Sequence, residues 1–167
     1  MYKVTVIIPC YNVELYIERC FKSLESQICQ DFEVICVDDA SNDNTVSVIR
    51  RIASNSAINI RIIQNEKNSG PAVSRNKGVL SASSEYLTFC DADDWYEKEF
   101  LSKLLEQLET NDADLAVCGY SIVDEKGNKQ NRPLPHSLVI DEKDQILSLD
   151  VDSLCMLMVK TTIMQDT

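Results

Sequence analysis

A chain of 167 residues, 44% of them hydrophobic, is long enough to enclose its own core and too apolar to be disordered. Its 27 acidic residues outnumber 16 basic ones, giving a net charge of −11, which excludes nucleic acid as a partner for most of this surface. Seven cysteines, Cys10, Cys20, Cys29, Cys36, Cys90, Cys118 and Cys155, form no C-x-x-C pair, so a zinc cluster is not expected, and an odd, scattered set suits a reducing compartment.

The N-terminal MYKVTVIIPC has too short an apolar run for a signal peptide, and Pro9 interrupts it. No stretch reaches membrane-spanning length. The chain therefore reads as cytoplasmic, with a membrane-peripheral placement left open for a longer parent protein. VTVII (4–8) predicts a buried strand. Val13, Ile17, Cys20, Phe21 and Leu24 follow at helical spacing, with Asn12 as the expected N-cap. FEVICVD (32–38) is the second strand, and Val46, Ile49, Ile52 and Ala53 mark the helix after it. INIRIIQ (58–64) predicts a third strand, followed by a helix from about Pro71, where Gly70-Pro71 supplies a turn and a favourable first helical position. EYLTFC (85–90) is the fourth strand; Phe100, Leu101, Leu104, Leu105 and Leu108 make the helical stripe behind it. DLAVCGY (114–120) predicts a fifth strand, DEKGNK (124–129) a hairpin-like turn and NRPLPHS (131–137) an extended loop. A short helix from about Asp141 and a strand around LCMLMV (154–159) complete the chain.

Alternating strands and helices predict an α/β fold with a mostly parallel sheet flanked by helices on both faces. Ligands of such sheets bind at the carboxyl ends of the strands. Those ends read Pro9-Cys10-Tyr11-Asn12, Asp38-Asp39-Ala40-Ser41, Asn68-Ser69-Gly70 and Asp91-Ala92-Asp93-Asp94. Asp91 and Asp93, two apart, would share one side of an extended segment and could address a hard cation such as Mg²⁺ or Mn²⁺. The competing reading makes Asp93 or Asp94 the cap of the Leu104 helix and Asp91 a solvated strand end. Of Asp38 and Asp39, one could cap the second helix, a task that Ser41, Asn42 or Asp43 could equally perform; Asp39 could instead accept the N3–H of a uracil ring. Tyr11 offers an aromatic face to a base or packs half-buried. Arg75 could meet a phosphate bidentately, or pair at the surface with Glu66 or Glu85. Trp95 could line a sugar pocket or serve as a core or hinge residue. His136, in a Pro-flanked loop, receives no role.

The segments VTVIIPCYNVELYIERCFKSLESQ, FEVICVDDASNDNT, NSGPAVSRNKG and SEYLTFCDADD, in this order, resemble the family 2 glycosyltransferases of GT-A (Rossmann-like) fold. The resemblance is strong over about residues 1–100 and weaker afterwards. It implies a single GT-A domain over 1–167 that stops short at its C-terminus, with residues 1–100 as the nucleotide-sugar-binding half and 101–167 as the start of the acceptor-side half. By position, Asp39 would hold the nucleobase, Pro9 and Tyr11 would line the base pocket, and Asp91 and Asp93 match the D-x-D element. Asp93 would bind Mg²⁺ or Mn²⁺ through the donor's diphosphate, and Asp91 the ribose or a metal-bound water. The implied activity is inverting transfer of a sugar from a nucleotide-diphospho-sugar, commonly UDP-linked, to a saccharide or lipid-linked acceptor.

Inversion needs a base on the face of the sugar opposite the leaving group. In the family this base follows a segment like LCMLMVKTTIM, which here lies beside the C-terminus; Asp150 and Asp152 are candidates by position only. A nucleotide-sugar-binding fragment without transfer activity is the alternative. A sugar-nucleotide nucleotidyltransferase would want a Gly- and Arg/Lys-rich loop after the first strand, and a dinucleotide-binding domain G-x-G-x-x-G there; PCYN offers neither. The apolar LCMLMV run also predicts a homodimer, with Leu154, Met156 or Met158 near the contact.

Overall fold

The computed structural model describes residues 1–124, 126–133 and 157–165. The expected helix from Asp141, and with it His136, Asp150, Asp152, Leu154, Cys155 and Met156, lies outside these residues. Four parallel strands form most of the sheet: β1 (Val4–Cys10), β2 (Phe32–Asp38), β3 (Asn59–Gln64) and β4 (Tyr86–Phe89), in the spatial order β3-β2-β1-β4. Between them run α1 (Ile17–Glu25), α2 (Thr45–Asn55) and α3 (Pro71–Ser81). After β4 come α4 (Phe100–Thr110), β5 (Leu115–Val117), β6 (Tyr120–Val123), β7 (Lys129–Arg132), β8 (Leu157–Lys160) and α5 (Thr161–Gln165). β8 inserts between β4 and β5 and runs antiparallel to both.

The continuous apolar runs of β1 and β2 are what a strand covered on both faces requires. Val4, Val6, Ile8 and Cys10 face one way, where Ile17, Cys20, Phe21 and Leu24 of α1, Ile49 of α2 and Leu101, Leu104 and Leu108 of α4 close over them. Ile7 faces the other way and packs with Val79 of α3, with Ile163 and Met164 of α5 at the margin of the same cluster. Helices therefore flank both faces. Gly78 is where α3 comes closest to the sheet: a Cβ there would run into Cγ2 of the buried Ile7.

Several expectations are corrected by the structure. The first helix starts at Ile17, not after Asn12, because Asn12 takes a left-handed backbone (φ 53°) and spends its side chain on another loop. Residues 114–120 do not make one strand: Leu115–Val117 joins the main sheet, while Tyr120 begins a separate hairpin with β7. Asn131 and Arg132 belong to β7 rather than to a loop. The turn at 124–128 does close that hairpin, through Gly127 N–H to Asp124 O at 2.9 Å. Met158 is fully buried between β4 and β5, so the expected dimer contact does not run through it; Leu154 and Met156, the other residues named for that contact, lie outside the described residues. Among the described residues no helix is long and apolar enough to cross a membrane.

Candidate active site

The parallel register puts Cys10 beside Asp38 and Asp38 beside Gln64, so the strands end level with one another. The ladder continues one step beyond them. Asp39 N–H donates to Cys10 O (2.8 Å), Asn65 N–H to Asp38 O (2.8 Å) and Cys90 N–H to Ile7 O (3.0 Å). Residues just past each strand are thus held as firmly as the strands themselves. Around them opens a cleft of about 340 Å³, and Pro9, Tyr11, Asp39, Arg75, Asp91 and Asp93, all six residues singled out above, line it together with Asn68, Gly70 and Ser74.

One wall, at Tyr11 and Val13, is backed by a second loop joined to it. Asn12 N–H donates to Ser41 Oγ (3.0 Å), Asn42 N–H to Asn12 Oδ1 (2.9 Å), Val13 N–H to Thr45 Oγ1 (2.8 Å) and Asn44 N–H to Glu14 Oε2 (2.8 Å). Asp43 serves the start of α2, accepting from Thr45 N–H at 2.9 Å, which leaves Asp39 free of capping duty. Tyr11, next to this seam, keeps 45% of its surface exposed; its ring faces solvent and is not packed away.

Asp39 is buried, and it accepts from Asn65 Nδ2 on Oδ1 (2.6 Å), from Gly70 N–H on Oδ2 (2.7 Å) and from Ser69 N–H on both oxygens (3.0 Å each). Burial pushes its carboxyl upward, but the bonds from Asn65, Ser69, Gly70 and Ser74 outweigh this and hold it below the ordinary aspartate value. Cys10 behaves oppositely: a hydrogen bond with Cys36, then burial, push its thiol well up, so it lines the cleft as an inert side chain.

The opposite wall is the acidic segment. It is a turn, closed by Asp94 N–H to Asp91 O at 3.0 Å, and not the extended stretch expected to align Asp91 with Asp93. Arg75 Nη2 donates to Asp91 Oδ1 at 2.6 Å, so its carboxylate partner is Asp91 rather than Glu66 or Glu85. Arg75 Nε is buried without an acceptor among the described residues, which leaves one directed donor unspent. Arg19 Nη2 donates to Asp93 O at 2.5 Å while its guanidinium lies 4.2 Å from the Trp95 ring centre, pinning the turn to α1. Neither Asp93 nor Asp94 caps α4, whose N-cap position is Glu99. Burial, then the charges of Asp93 and Asp91, raise Asp94, with Arg19 offsetting part of the effect.

Among the described residues no three His, Cys, Asp or Glu side chains form a metal cage. What the cleft offers is the exposed Asp93, with Asp91 beside it tied to Arg75. That donor set fits Mg²⁺ or Mn²⁺, which keep waters and are typically held by one or two carboxylates plus phosphate oxygens of a ligand. A second, larger cleft of about 780 Å³ meets the first at Asp93 and runs past Trp95 to Tyr120 and Ile122 of the hairpin. Asn65, Ser74 and Arg19 escaped the reading from sequence. Asn65 had a usable signal: it follows the third strand directly, where the strand-end rule already pointed.

Comparison with known proteins gives a consistent picture. The family model described as Glycosyl transferase family 2 matches residues 5–162. The chain is 34% identical over 129 residues to the GalNAc(5)-diNAcBac-PP-undecaprenol beta-1,3-glucosyltransferase of Campylobacter jejuni, covering 77% of this chain and 41% of that protein. The crystal structure of S. aureus TarS 1–349 in complex with UDP-GlcNAc superimposes with a TM-score of 0.79 at 27% identity, over 98% of this chain and 47% of that 1–349 chain. The mannosyltransferase PcManGT from Pyrobaculum calidifontis, in complex with GDP-Man and Mn²⁺, gives 0.65 at 28% identity, over 70% of this chain and 35% of that one. The mostly parallel, helix-flanked sheet is the GT-A fold. The chain spans between 17% and 56% of the length of further curated relatives that it matches.

Proposed function

The chain belongs to glycosyl transferase family 2, and on that premise we propose that its cleft binds a nucleotide-diphospho-sugar, UDP-linked, for metal-dependent, inverting transfer to a saccharide or lipid-linked acceptor. The observation that carries the reading is the single cleft in which Asp39, Arg75, Asp91 and Asp93 meet an exposed tyrosine ring. Support for the donor class comes from TarS with UDP-GlcNAc and PcManGT with GDP-Man and Mn²⁺, and for the acceptor class from the undecaprenol-linked substrate in the relative's name.

In this reading the base lies against Pro9 and Tyr11. Asp39 receives its ring N–H when Ser69 N–H, now shared between both oxygens, settles on one of them. Arg75 turns its unspent Nε to a phosphate oxygen and keeps Asp91 aimed at the ribose or at a metal-bound water. Asp93 holds Mg²⁺ or Mn²⁺ with the diphosphate; the ion supplies neutralisation of the charge that grows on the leaving nucleoside diphosphate. The acceptor approaches through the larger cleft beyond Asp93. Inversion calls for a carboxylate base, and the positional candidates Asp150 and Asp152 lie outside the described residues.

Titration calorimetry with UDP, with and without Mn²⁺, tests the reading. We expect UDP affinity to rise at least tenfold with Mn²⁺, and Asp93→Asn to abolish that rise without altering the melting temperature. The same metal-dependent affinity in the variant would overturn the assignment of Asp93. Release of UDP from UDP-sugars in the presence of a lipid-linked saccharide separates transfer from binding alone.

A further inference from the structure

Asn65 sits behind the cleft against Asp39 and Ser74, only 8% exposed, with its backbone N–H and both side-chain amide atoms engaged. Its backbone N–H continues the sheet ladder, and its side-chain Nδ2 donates to Asp39 Oδ1 (2.6 Å) and to Ser74 Oγ (3.1 Å). Its Oδ1 accepts from Lys77 Nζ at 2.7 Å. An ammonium group only donates, so the amide atom facing Lys77 must be the oxygen. The NH₂ is then forced toward Asp39. Asp39 consequently meets donors on every bonded side: the amide of Asn65 and the backbone N–H groups of Ser69 and Gly70.

A carboxylate surrounded in this way stays ionised and can only accept. Uracil presents a ring N3–H on its pairing edge. Cytosine presents an N3 lone pair at the same place, which an ionised carboxylate repels. We propose that Asn65, oriented by Lys77, is a positioning residue that makes Asp39 an acceptor-only reader and so restricts the cleft to nucleotides whose base carries a ring N–H, uridine rather than cytidine. The proposal rests on the reading of this cleft as a nucleotide-sugar site. It assigns to two residues outside the D-x-D turn the task of fixing which nucleotide enters.

The test compares UDP and CDP affinities by calorimetry at saturating Mn²⁺, so that the diphosphate contribution is common to both. The unaltered chain should prefer UDP by at least about tenfold, the worth of one hydrogen bond to a charged group. Asn65→Leu should weaken UDP about tenfold while leaving CDP unchanged or stronger, so that the ratio collapses. Lys77 lies on an exposed part of α3, so its replacement leaves folding intact. Lys77→Met removes the cation that anchors the amide oxygen, loosens the grip of Asn65 on Asp39 and should lower the ratio severalfold, and Lys77→Arg should restore it. A general loss of packing would weaken both nucleotides together and leave the ratio in place. Preference for UDP in the unaltered chain with an unchanged ratio in both Asn65→Leu and Lys77→Met would overturn this proposal alone; should Asn65→Leu fail to fold, Lys77→Met decides. Absence of UDP binding by the unaltered chain would instead remove the nucleotide reading of the cleft, and this proposal with it.

Discussion

The parallel strands and the hairpin are built on opposite terms. β2 is buried along its whole length and β1 at six of its seven positions, whereas β7 exposes all four residues and β6 buries none fully. β2, β1 and β4 are fixed by neighbours on both sides, and the sheet carries helices on both faces. The hairpin holds itself together by its turn and one ladder, with a link from Lys129 Nζ to Glu97 at 3.1 Å. The side chains proposed to hold the donor follow the first kind of backbone. The second kind borders the larger cleft, through which the acceptor is proposed to enter.

The contrast can be broken most violently from inside the sheet. Phe89, fully buried in β4, packs with Ile7, Val79 and Leu157; Phe89→Ala should cost about 3–5 kcal/mol in urea unfolding and take the proposed UDP site down with it. Gly78→Ala comes next. Its new methyl meets buried Ile7, α3 must lift from the sheet, and a loss of about 2–3 kcal/mol is expected, read as a lower melting temperature.

Asp39→Asn should cost less at neutral pH, about 1–2 kcal/mol, because an amide still accepts some of the bonds from Asn65, Ser69 and Gly70. The sign of its pH dependence follows from the lowered carboxyl. A folded value below the unfolded one contributes stability above about pH 4, and that stability disappears as pH falls through the folded value. The gap between parent and variant in thermal melts should therefore close on acidification below pH ~4. A gap that stays constant down to pH ~2 would contradict the clamp. At the small end, Ile122→Ala on the exposed hairpin should change stability by no more than about 0.5 kcal/mol. A loss as large as that of Gly78→Ala would show the hairpin to be part of the core, and the contrast would fall.

The same contrast explains what could be read from the sequence. Strands covered on both faces leave unbroken apolar runs, so strands were legible at 4–8, 32–38 and 85–90, and the strand-end rule then pointed to Pro9, Tyr11, Asp39 and Asp91. Pairing order is not written in a local run, and so the antiparallel seat of Leu157–Lys160 between β4 and β5 was not foreseen. Arg75 could not be matched to Asp91 by spacing, since the two meet only after α3 and β4 are packed. Asn12 looked like a cap because its type favours caps, yet a cross-loop bond from Asn42 N–H claimed its side chain. Asn65 stood at a strand end, where its place was legible, but its pairing with Lys77 exists only once α3 has packed beside it.

The seat of β8 has a consequence for how such a chain is made. β1 to β4 can pair as soon as residue 90 has left the ribosome, since every partner is already present. β5 cannot. Its ladder is with β8, which starts forty residues after β5 ends. At translation rates of about 5–20 residues per second, β5 waits roughly 2–8 s for it, and the free side of β4, sixty-eight residues upstream of β8, roughly 3–14 s. During that interval the growing chain shows an unpaired edge of Tyr86, Leu87 and Thr88, a template that any neighbouring strand could use. The order of synthesis, and not only the final fold, thus sets when this sheet is safe from its neighbours.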